Sequence, residues 1–333
     1  MRGGVMYAIG VDIGGTKCAV CLGEGADGEM KVVHRAAARS TADFSPEEML
    51  RALLADADEC LAHLPFRESA YGVGISCGGP LDSRTGLILS PPNLPGWDRI
   101  EAVRRFSEGT GLPAWLCNDA NAGALAEWRY GAGRGCRDMI FITFGTGFGA
   151  GLILNGALYE GAGGAAGEVG HLRAEAHGPS GYGKIGSFEG FCSGGGIAQL
   201  ARTMALREIQ TGRPPSFCTG VAGLEDLTAE SVAKAALAGD TTALEVFEQS
   251  GVELGRALSL LIDLFNPERI VIGGIFARCR GLLWPAAKRV IESEALPESA
   301  RVCQVLPAEL SESVGDVAAL AVAEYYGGRG GAA

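Results

Sequence analysis

The chain has 333 residues, a formal net charge of -11, 47% hydrophobic and 20% charged residues. That is ample apolar content for a packed core, and the length favours two domains. An acidic chain without a run of lysines or arginines is a poor partner for nucleic-acid phosphates. No apolar stretch is long enough to span a bilayer, and Met1 to Gly4 lead straight into a strand-like run, which predicts no signal peptide. Ten cysteines follow no disulfide framework and sit mostly in apolar segments, as expected of small buried residues in a reducing cytoplasm. Cys18 and Cys21 are three apart on a predicted strand, face opposite sides, and so share no metal.

Tyr7 to Asp12 reads as a strand, Ile13-Gly-Gly-Thr-Lys17 as a tight turn, and Cys18 to Leu22 as a returning strand. Such a turn is either an ordinary hairpin or an anion cradle, since two glycines let backbone N–H groups approach a phosphate. In the second case Thr16 and Lys17 add a hydroxyl and a charge, and Asp12 can hold Mg²⁺ through water. The spacing is not that of a Walker A loop. Lys31 to Ala36 suggests a third strand. Ser45 to Leu64 reads as an amphipathic helix with Ser45 as N-cap, Pro46 at N1 and Glu48 at N3. Tyr71 to Ser76 is a strand ending in Cys77-Gly-Gly-Pro80. Ser90 to Trp97 is a proline-rich loop carrying Asn93, either a turn former or a hydrogen-bonding group for a polyol. Arg99 to Glu108 suggests a helix.

Pro113 to Cys117 is a short apolar strand, broken by Asn118-Asp119, and Ala120 to Arg129 is rich in helix formers. A carboxylate at that junction is either a helix N-cap or a rigidly held general base for an alcohol. Asp138 to Phe144 is a strong strand that runs into Gly145-Thr-Gly-Phe-Gly-Ala-Gly151 and the apolar Leu152 to Leu154. This second strand–glycine turn–strand unit echoes the first and suggests two related domains. Next come Gly167-Glu-Val-Gly-His171, the run Ser180 to Glu189, and helices over Gly196–Ile209, Thr228–Ala238 and Thr242–Phe265. Arg269 to Gly274 reads as a buried strand ending in two glycines. A helix through Val290, a strand near Val302 and a last helix over Ser313–Tyr326 complete the chain, and Gly327 to Ala333 reads as a frayed end.

Taken together, these segments resemble the ROK family of sugar kinases. The motifs are Asp12-Ile-Gly-Gly-Thr-Lys17, Gly74-Ile-Ser-Cys-Gly-Gly-Pro80, Asn118-Asp119-Ala-Asn121, Gly145-Thr-Gly147, Gly167-Glu-Val-Gly-His171, Glu189 and Gly273-Gly274. The resemblance implies an α/β, two-domain actin-like ATPase (ribonuclease H-like) fold with an interdomain active-site cleft. The corresponding domains are residues 1–118, joined by the helix over 313–326, and residues 119–312. It implies ATP and Mg²⁺ as cofactors, a hexose or N-acetylhexosamine as substrate, a cytoplasmic location and a homodimer. Asp119 becomes the catalytic base. Gly79, Asn93, Asn118, Glu168, His171 and Glu189 become sugar contacts. Asp12, Gly14, Gly15, Thr16 and Lys17, with Gly145, Thr146 and Gly147, face the phosphates and Mg²⁺, and Gly273 and Gly274 face the adenosine.

One departure stands out. The family usually carries a zinc site of a histidine plus C-x-C-G-x-x-G-C-x-E. Here the cysteine positions read Ser180, Tyr182 and Ser187, and the spacing from His171 is one residue short. Hydroxyls are poor substitutes for thiolates at zinc, so no structural zinc is expected and the loop must be ordered by packing and hydrogen bonds. Two rivals remain at this level. One is a family-type sugar-sensing regulator, which needs a helix-turn-helix segment that a first strand near Tyr7 leaves no room for. The other is a catalytically silent sugar-binding protein.

Overall fold

The structure, a computed structural model, describes residues 5–26, 28–64, 70–310 and 314–328. In chain order the strands and helices begin with β1 (Met6–Ile13), β2 (Lys17–Ala26), β3 (Glu29–Arg35), β4 (Arg39–Ser40), α1 (Pro46–Ala62) and β5 (Ala70–Cys77). They continue with β6 (Leu81–Asp82), β7 (Leu87–Ile88), β8 (Ile100–Glu101), α2 (Ala102–Thr110), β9 (Ala114–Asn118) and α3 (Asp119–Tyr130). Then follow β10 (Met139–Phe144), β11 (Phe148–Leu154), β12 (Ala157–Tyr159), β13 (Ser180–Gly181), β14 (Lys184–Ile185), α4 (Phe188–Phe191) and α5 (Gly194–Gln210). Last are α6 (Ala229–Leu237), α7 (Thr241–Phe265), β15 (Arg269–Ile272), α8 (Ile275–Glu294), α9 (Pro297–Val302), β16 (Gln304–Pro307) and α10 (Val314–Gly327). Two compact units result: residues 1–135, 157–164 and 309–333, and residues 136–156 and 165–308.

The first unit is built on a sheet ordered β3-β2-β1-β5-β9, with β4 paired to β2. β1 runs antiparallel to β2 and parallel to β5, which is parallel to β9. Helices cover both faces of the central strands, which is why β1 and β5 read as continuous apolar runs rather than alternating ones. The amphipathic helix α1 buries Met49, Leu50, Leu53, Ala57 and Cys60 on the sheet side, in one core with Ile9, Val11, Trp97 and Phe106. It starts on a capping box: the Ser45 N–H and hydroxyl both donate to the Glu48 carboxylate, with Pro46 in the first turn. α10 packs on β1 and β5. Its buried row of small residues, Ala318, Ala319, Ala321 and Ala323, lets it lie close, and the strands answer with glycines. A Cβ on Gly74 would stand 2.0 Å from the Ala319 carbonyl oxygen.

The second unit has a sheet in which β11, β10, β15 and β16 are neighbours in that order. β10 is antiparallel to β11 and parallel to β15, and β15 is parallel to β16. Phe144, Phe148, Phe188, Phe191 and Phe247 fill its core. α7 is the spine, buried along one face through Val246, Leu254, Leu258 and Ile262. Gly251 and Gly255 let α8 approach: Cβ atoms there would stand 2.6 Å from Leu283 O and 2.6 Å from Val290 Cβ.

Several boundaries differ from the sequence expectation. Residues 100–101 pair with β7, so α2 starts at Ala102, not at Arg99. Val302 ends a short helix started by Pro297, and the strand lies beyond it at Gln304–Pro307. The second glycine turn is only Gly145–Gly147, because Gly149 and Gly151 are inside β11. α5 begins two residues early, where the Ser193 hydroxyl accepts from Gly196 N at 3.0 Å. α3 packs on α10 and belongs to the first unit, whereas the expected boundary at residue 119 assigns it to the second. The predicted start of the last helix, Ser313, and residues 329–333 of the expected frayed end lie outside the described residues.

Gly74→Ala should show how closely α10 is seated. Overpacking of this kind costs about 1–3 kcal/mol, and more where the obstacle is backbone. The expected result is a fall of at least that size in urea-unfolding stability; an unchanged midpoint would mean that α10 does not sit where the structure puts it.

Candidate active-site residues

In the first unit the parallel strands β1, β5 and β9 end on the same edge of the sheet, where ligands of open α/β sheets bind. Asp12 is the next-to-last residue of β1. In register it lies opposite Ser76, and Ser76 lies opposite Cys117. Asn118 and Asp119 follow directly, so Asp12 and Asp119 stand roughly two strand spacings apart, about 10 Å.

The two readings of the Asn118-Asp119 pair are both realised, one by each residue. Asn118 is the N-cap of α3, its Oδ1 accepting from Ala120 N at 3.0 Å. Its Nδ2 lies beside Gly79, 3.3 Å from where a Cβ would be. Asp119 takes the first helical position and is exposed. Its Oδ1 also accepts from Ala120 N, at 2.9 Å, and the helix N-terminus favours its negative charge.

Asp12 is half-buried. Burial first, and the Asp119 charge second, raise its carboxyl to about 6, against the opposing pull of Lys17 and Arg35. Arg35 in turn pairs with the buried Asp316 at the start of α10. A Cβ on the adjacent Gly315 would stand 2.8 Å from Asp12 Oδ2. The Gly14–Lys17 turn is closed by Gly14 N donating to Lys17 O at 3.0 Å. Thr41 braces it, its hydroxyl donating to Gly14 O at 2.7 Å and its amide to Thr16 O at 3.0 Å. Gly15, Thr16 and Lys17 are exposed. The Ser90–Trp97 loop, pinned by the buried Trp97, presses on this turn: a Cβ on Gly15 would meet Asn93 Cβ and O at 2.7 Å. The first unit therefore gathers Asp12, Gly14–Lys17, Gly79, Asn93, Asn118 and Asp119 at one sheet edge.

The second unit gathers the others. Gly145 N donates to Gly147 O at 3.0 Å, closing the turn between β10 and β11 and leaving Thr146 exposed at its tip. Gly194 N, at the start of α5, donates to Gly145 O at 2.8 Å. Gly273 N donates to Ile142 O at 2.9 Å, and Gly274, with φ of 66°, crosses so close that a Cβ would stand 2.2 Å from Phe144 O. Glu189 is fixed by Phe148 N, which donates to its Oε2 at 3.1 Å, and that oxygen would be 2.9 Å from a Cβ on Gly147. Glu168 lies on the same side: desolvation first, and the Glu189 charge second, raise its carboxyl, while His171 lowers it. His171 ends a 3₁₀ turn, is exposed, and meets the edge of the Tyr182 ring at a centroid distance of 6.3 Å.

Residues 8–325 match the ROK family. The chain belongs to it. Among ROK relatives, the glucokinase of Halalkalibacterium halodurans is 34% identical over 76% of each chain. That of Thermotoga maritima is 31% identical over 94% of this chain and 96% of its own. The N-acetylmannosamine kinase of Escherichia fergusonii is 32% identical over 84% and 86%. The Streptomyces griseus ROK glucokinase, solved in complex with glucose and AMPPNP, superposes with a TM-score of 0.73 at 29% identity, covering 95% of this chain and 98% of that one. A ROK transcriptional regulator, a homologue of the E. coli Mlc protein, superposes with a TM-score of 0.79 at 26% identity, covering 97% and 79%. The fold is that of the actin-like ATPases.

The donor set does not suit the zinc site that the ROK resemblance implies. Ser187 is fully buried and caps α4, accepting from Gly190 N at 3.2 Å. Ser180 pairs through its backbone with Gln199. Tyr182 is 65% exposed and its hydroxyl is no thiolate. For Mg²⁺ the test goes the other way: the Asp12 carboxylate beside a glycine turn is a hard oxygen donor of the kind that ion takes, directly or through water. Thr41, Gly315 and Gly194 escaped the sequence reading. The first two act across long sequence separations with no local signal. Ser193-Gly-Gly-Gly196 could have been read as an N-cap with an open first turn.

Asp12 makes the acid side of stability testable. Folding raises its carboxyl from 3.8 to about 6, so the folded chain binds that proton more tightly than the unfolded one. The contribution is fully present below the lower value and is lost as pH rises through the higher one, by about 3 kcal/mol at most. Asp12→Asn should therefore be more stable than wild type at pH 8 and show no such advantage at pH 4 in urea melts. Parallel pH profiles for the two proteins would overturn the assignment.

Proposed function

We propose that the protein transfers the γ-phosphoryl group of ATP to a hydroxyl of a hexose or N-acetylhexosamine, with Asp119 as the general base. The observation that carries this reading is the exposed Asp119 on the first turn of α3, coupled in charge to Asp12 and sharing a sheet edge with the Gly14–Lys17 turn. The similarity to glucokinases and an N-acetylmannosamine kinase supports it.

Phosphoryl transfer asks for positioning and charge stabilisation rather than covalent chemistry from the protein. ATP supplies the phosphoryl group, and Mg²⁺ offsets the charge on its oxygens. Asp12 would hold that ion, through water. The Gly14–Lys17 and Gly145–Gly147 turns offer backbone N–H donors with no side chains in the way, and Gly273 and Gly274 give the adenosine part a bare surface. Gly79, Asn93, Asn118, Glu168, His171 and Glu189 orient sugar hydroxyls. Asp119 takes the proton of the attacking hydroxyl at its carboxylate. The same reading includes a homodimer and a cytoplasmic location. Eight of the ten cysteines are buried and two half-buried; among the described residues no helix is long and apolar enough to cross a membrane.

A second reading, a sugar-sensing regulator, is favoured by the likeness to the solved ROK regulator. The two diverge in one assay. A coupled kinase panel with glucose, fructose, allose, N-acetylglucosamine and N-acetylmannosamine should show turnover with at least one sugar; binding without turnover would favour a regulator or a catalytically silent sugar binder. Asp119→Asn should lower turnover roughly 10²–10⁴-fold, the usual contribution of a general base, with sugar affinity largely kept. Undiminished turnover in that variant would remove Asp119 from the role.

A further inference from the structure

The loop over residues 172–187 occupies the place of the ROK zinc site, yet it is held by contacts of its own. Its ends are stitched by backbone bonds: Ala174 N and Glu175 N both donate to Gly186 O, at 2.8 and 3.0 Å, and Phe188 N donates to Leu172 O at 2.9 Å. Two side chains from outside the loop then grip it. Gln199 on α5 behaves as a missing strand neighbour of β13. Its Oε1 accepts from Ser180 N and its Nε2 donates to Ser180 O, both at 2.9 Å. Arg256 on α7 reaches Glu175 of the loop with the same Nη1 that donates to Glu253 Oε1 at 2.9 Å. Glu253 is buried, and its carboxylate, from the same helix as Arg256, shares that guanidinium with Glu175 as a charge-assisted pair.

What the grip positions is Glu189. Gly181, next to Ser180, lies against it: a Cβ on Gly181 would stand 2.6 Å from Glu189 Cβ and 2.6 Å from Gly190 N. Ser187, at a position where the ROK resemblance implies a zinc-binding cysteine, bonds both sides of that contact, donating to Gly181 O at 3.4 Å and accepting from Gly190 N. A shift of β13 is thus a shift of the surface on which Glu189 rests.

We propose that Gln199 and Arg256 are positioning residues that replace the metal of this site, holding the 172–187 loop and, through it, the sugar-facing Glu189. The sugar part of the inference rests on the kinase reading, whereas the loop part does not. Hydrogen exchange separates them. In Gln199→Ala and in Arg256→Met, amides of Ala174, Glu175, Gly186 and Phe188 should exchange about tenfold faster or more, the equivalent of one lost hydrogen-bonded grip. Amides of β10 and β11 should keep their rates, and the wild-type loop should exchange no faster with a zinc-selective chelator. Variants that unfold outright would speed β10 and β11 as well, and the milder Gln199→Glu, which keeps the acceptor and loses the donor, then carries the test. With the best acceptor of the sugar panel, the sugar KM should rise about tenfold while the ATP KM and kcat stay close to wild type. Loop exchange at the wild-type rate in both variants, or chelator-accelerated exchange in wild type, would overturn the replacement. Faster exchange with an unmoved sugar KM would overturn the positioning of Glu189. A protein that turns over no sugar but shows the predicted exchange would sink the kinase reading alone.

Discussion

Two carboxylates at the ends of β1 and β9, with β5 between them, set the terms for the first unit. Burial first, and the like charge of Asp119 second, raise the Asp12 carboxyl. Their spacing is a property of the sheet. β5 pairs with both strands in parallel register, so the backbones that carry the two acids rise from the same edge at a spacing set by the sheet. The arrangement is costly in the bare protein and becomes favourable only with positive charge nearby. Lys17 and Arg35 supply part of it. A divalent cation held beside Asp12 would add to it, which is why the pair reads as a site rather than as a fault.

The environment of that pair is built from a distance. α10, at the far end of the sequence, brings Gly315 against the Asp12 carboxylate and Asp316 to Arg35. It can do so because the strands beneath it carry Gly10, Gly23 and Gly74, where any Cβ would meet α10 atoms at 3.2 Å or less, the Leu320 side chain at Gly10 and Gly23 and the Ala319 backbone at Gly74. The closeness of helix to sheet is thus set by the absence of side chains on the strands, which leaves room for Leu320 and the Ala319 backbone, and it brings Gly315 to the Asp12 carboxylate.

Much of this was legible in the chain, and the parts that were not share a cause. Signals carried within a few residues read well: the Ser45–Glu48 capping box, the glycine turns after β1 and β10, and the apolar runs of the central strands. Assigning the cap at Asn118-Asp119 was ambiguous because either side chain can do it, and only the backbone decides that Asn118 caps and Asp119 projects. Val302 read as a strand because valine fits a pleated surface, yet Pro297 starts a helix that reaches it. Thr41, Gly315, Gln199 and Arg256 act on partners 19 to 303 positions away (Gln199 on Ser180, Gly315 on Asp12), and nothing in their local sequence points to those partners. Family motifs drew attention to the Asp12, Asp119 and glycine-turn segments, whereas the groups that hold those segments in place emerge only when the chain is folded.

The exchange of metal for side chains in the 172–187 loop is energetically uneven and still workable. A structural zinc can supply roughly 10–16 kcal/mol of folding energy in a small peptide. Each hydrogen bond of a clasp supplies about 1 kcal/mol, and somewhat more where a charge takes part. Gln199 and Arg256 cannot match a metal on that scale. They need not, because this loop does not have to build a fold: Phe188 and Phe191 just beyond it, with Phe148 and Val169, already belong to the core of the second unit. What remains for the loop is orientation, and orientation asks only that competing positions be less favourable by a kcal/mol or two, the range in which a factor of ten in occupancy lies. A glutamine that satisfies both backbone groups of Ser180 does this well. It removes an unpaired donor and an unpaired acceptor at once, and any slip of the strand would expose both.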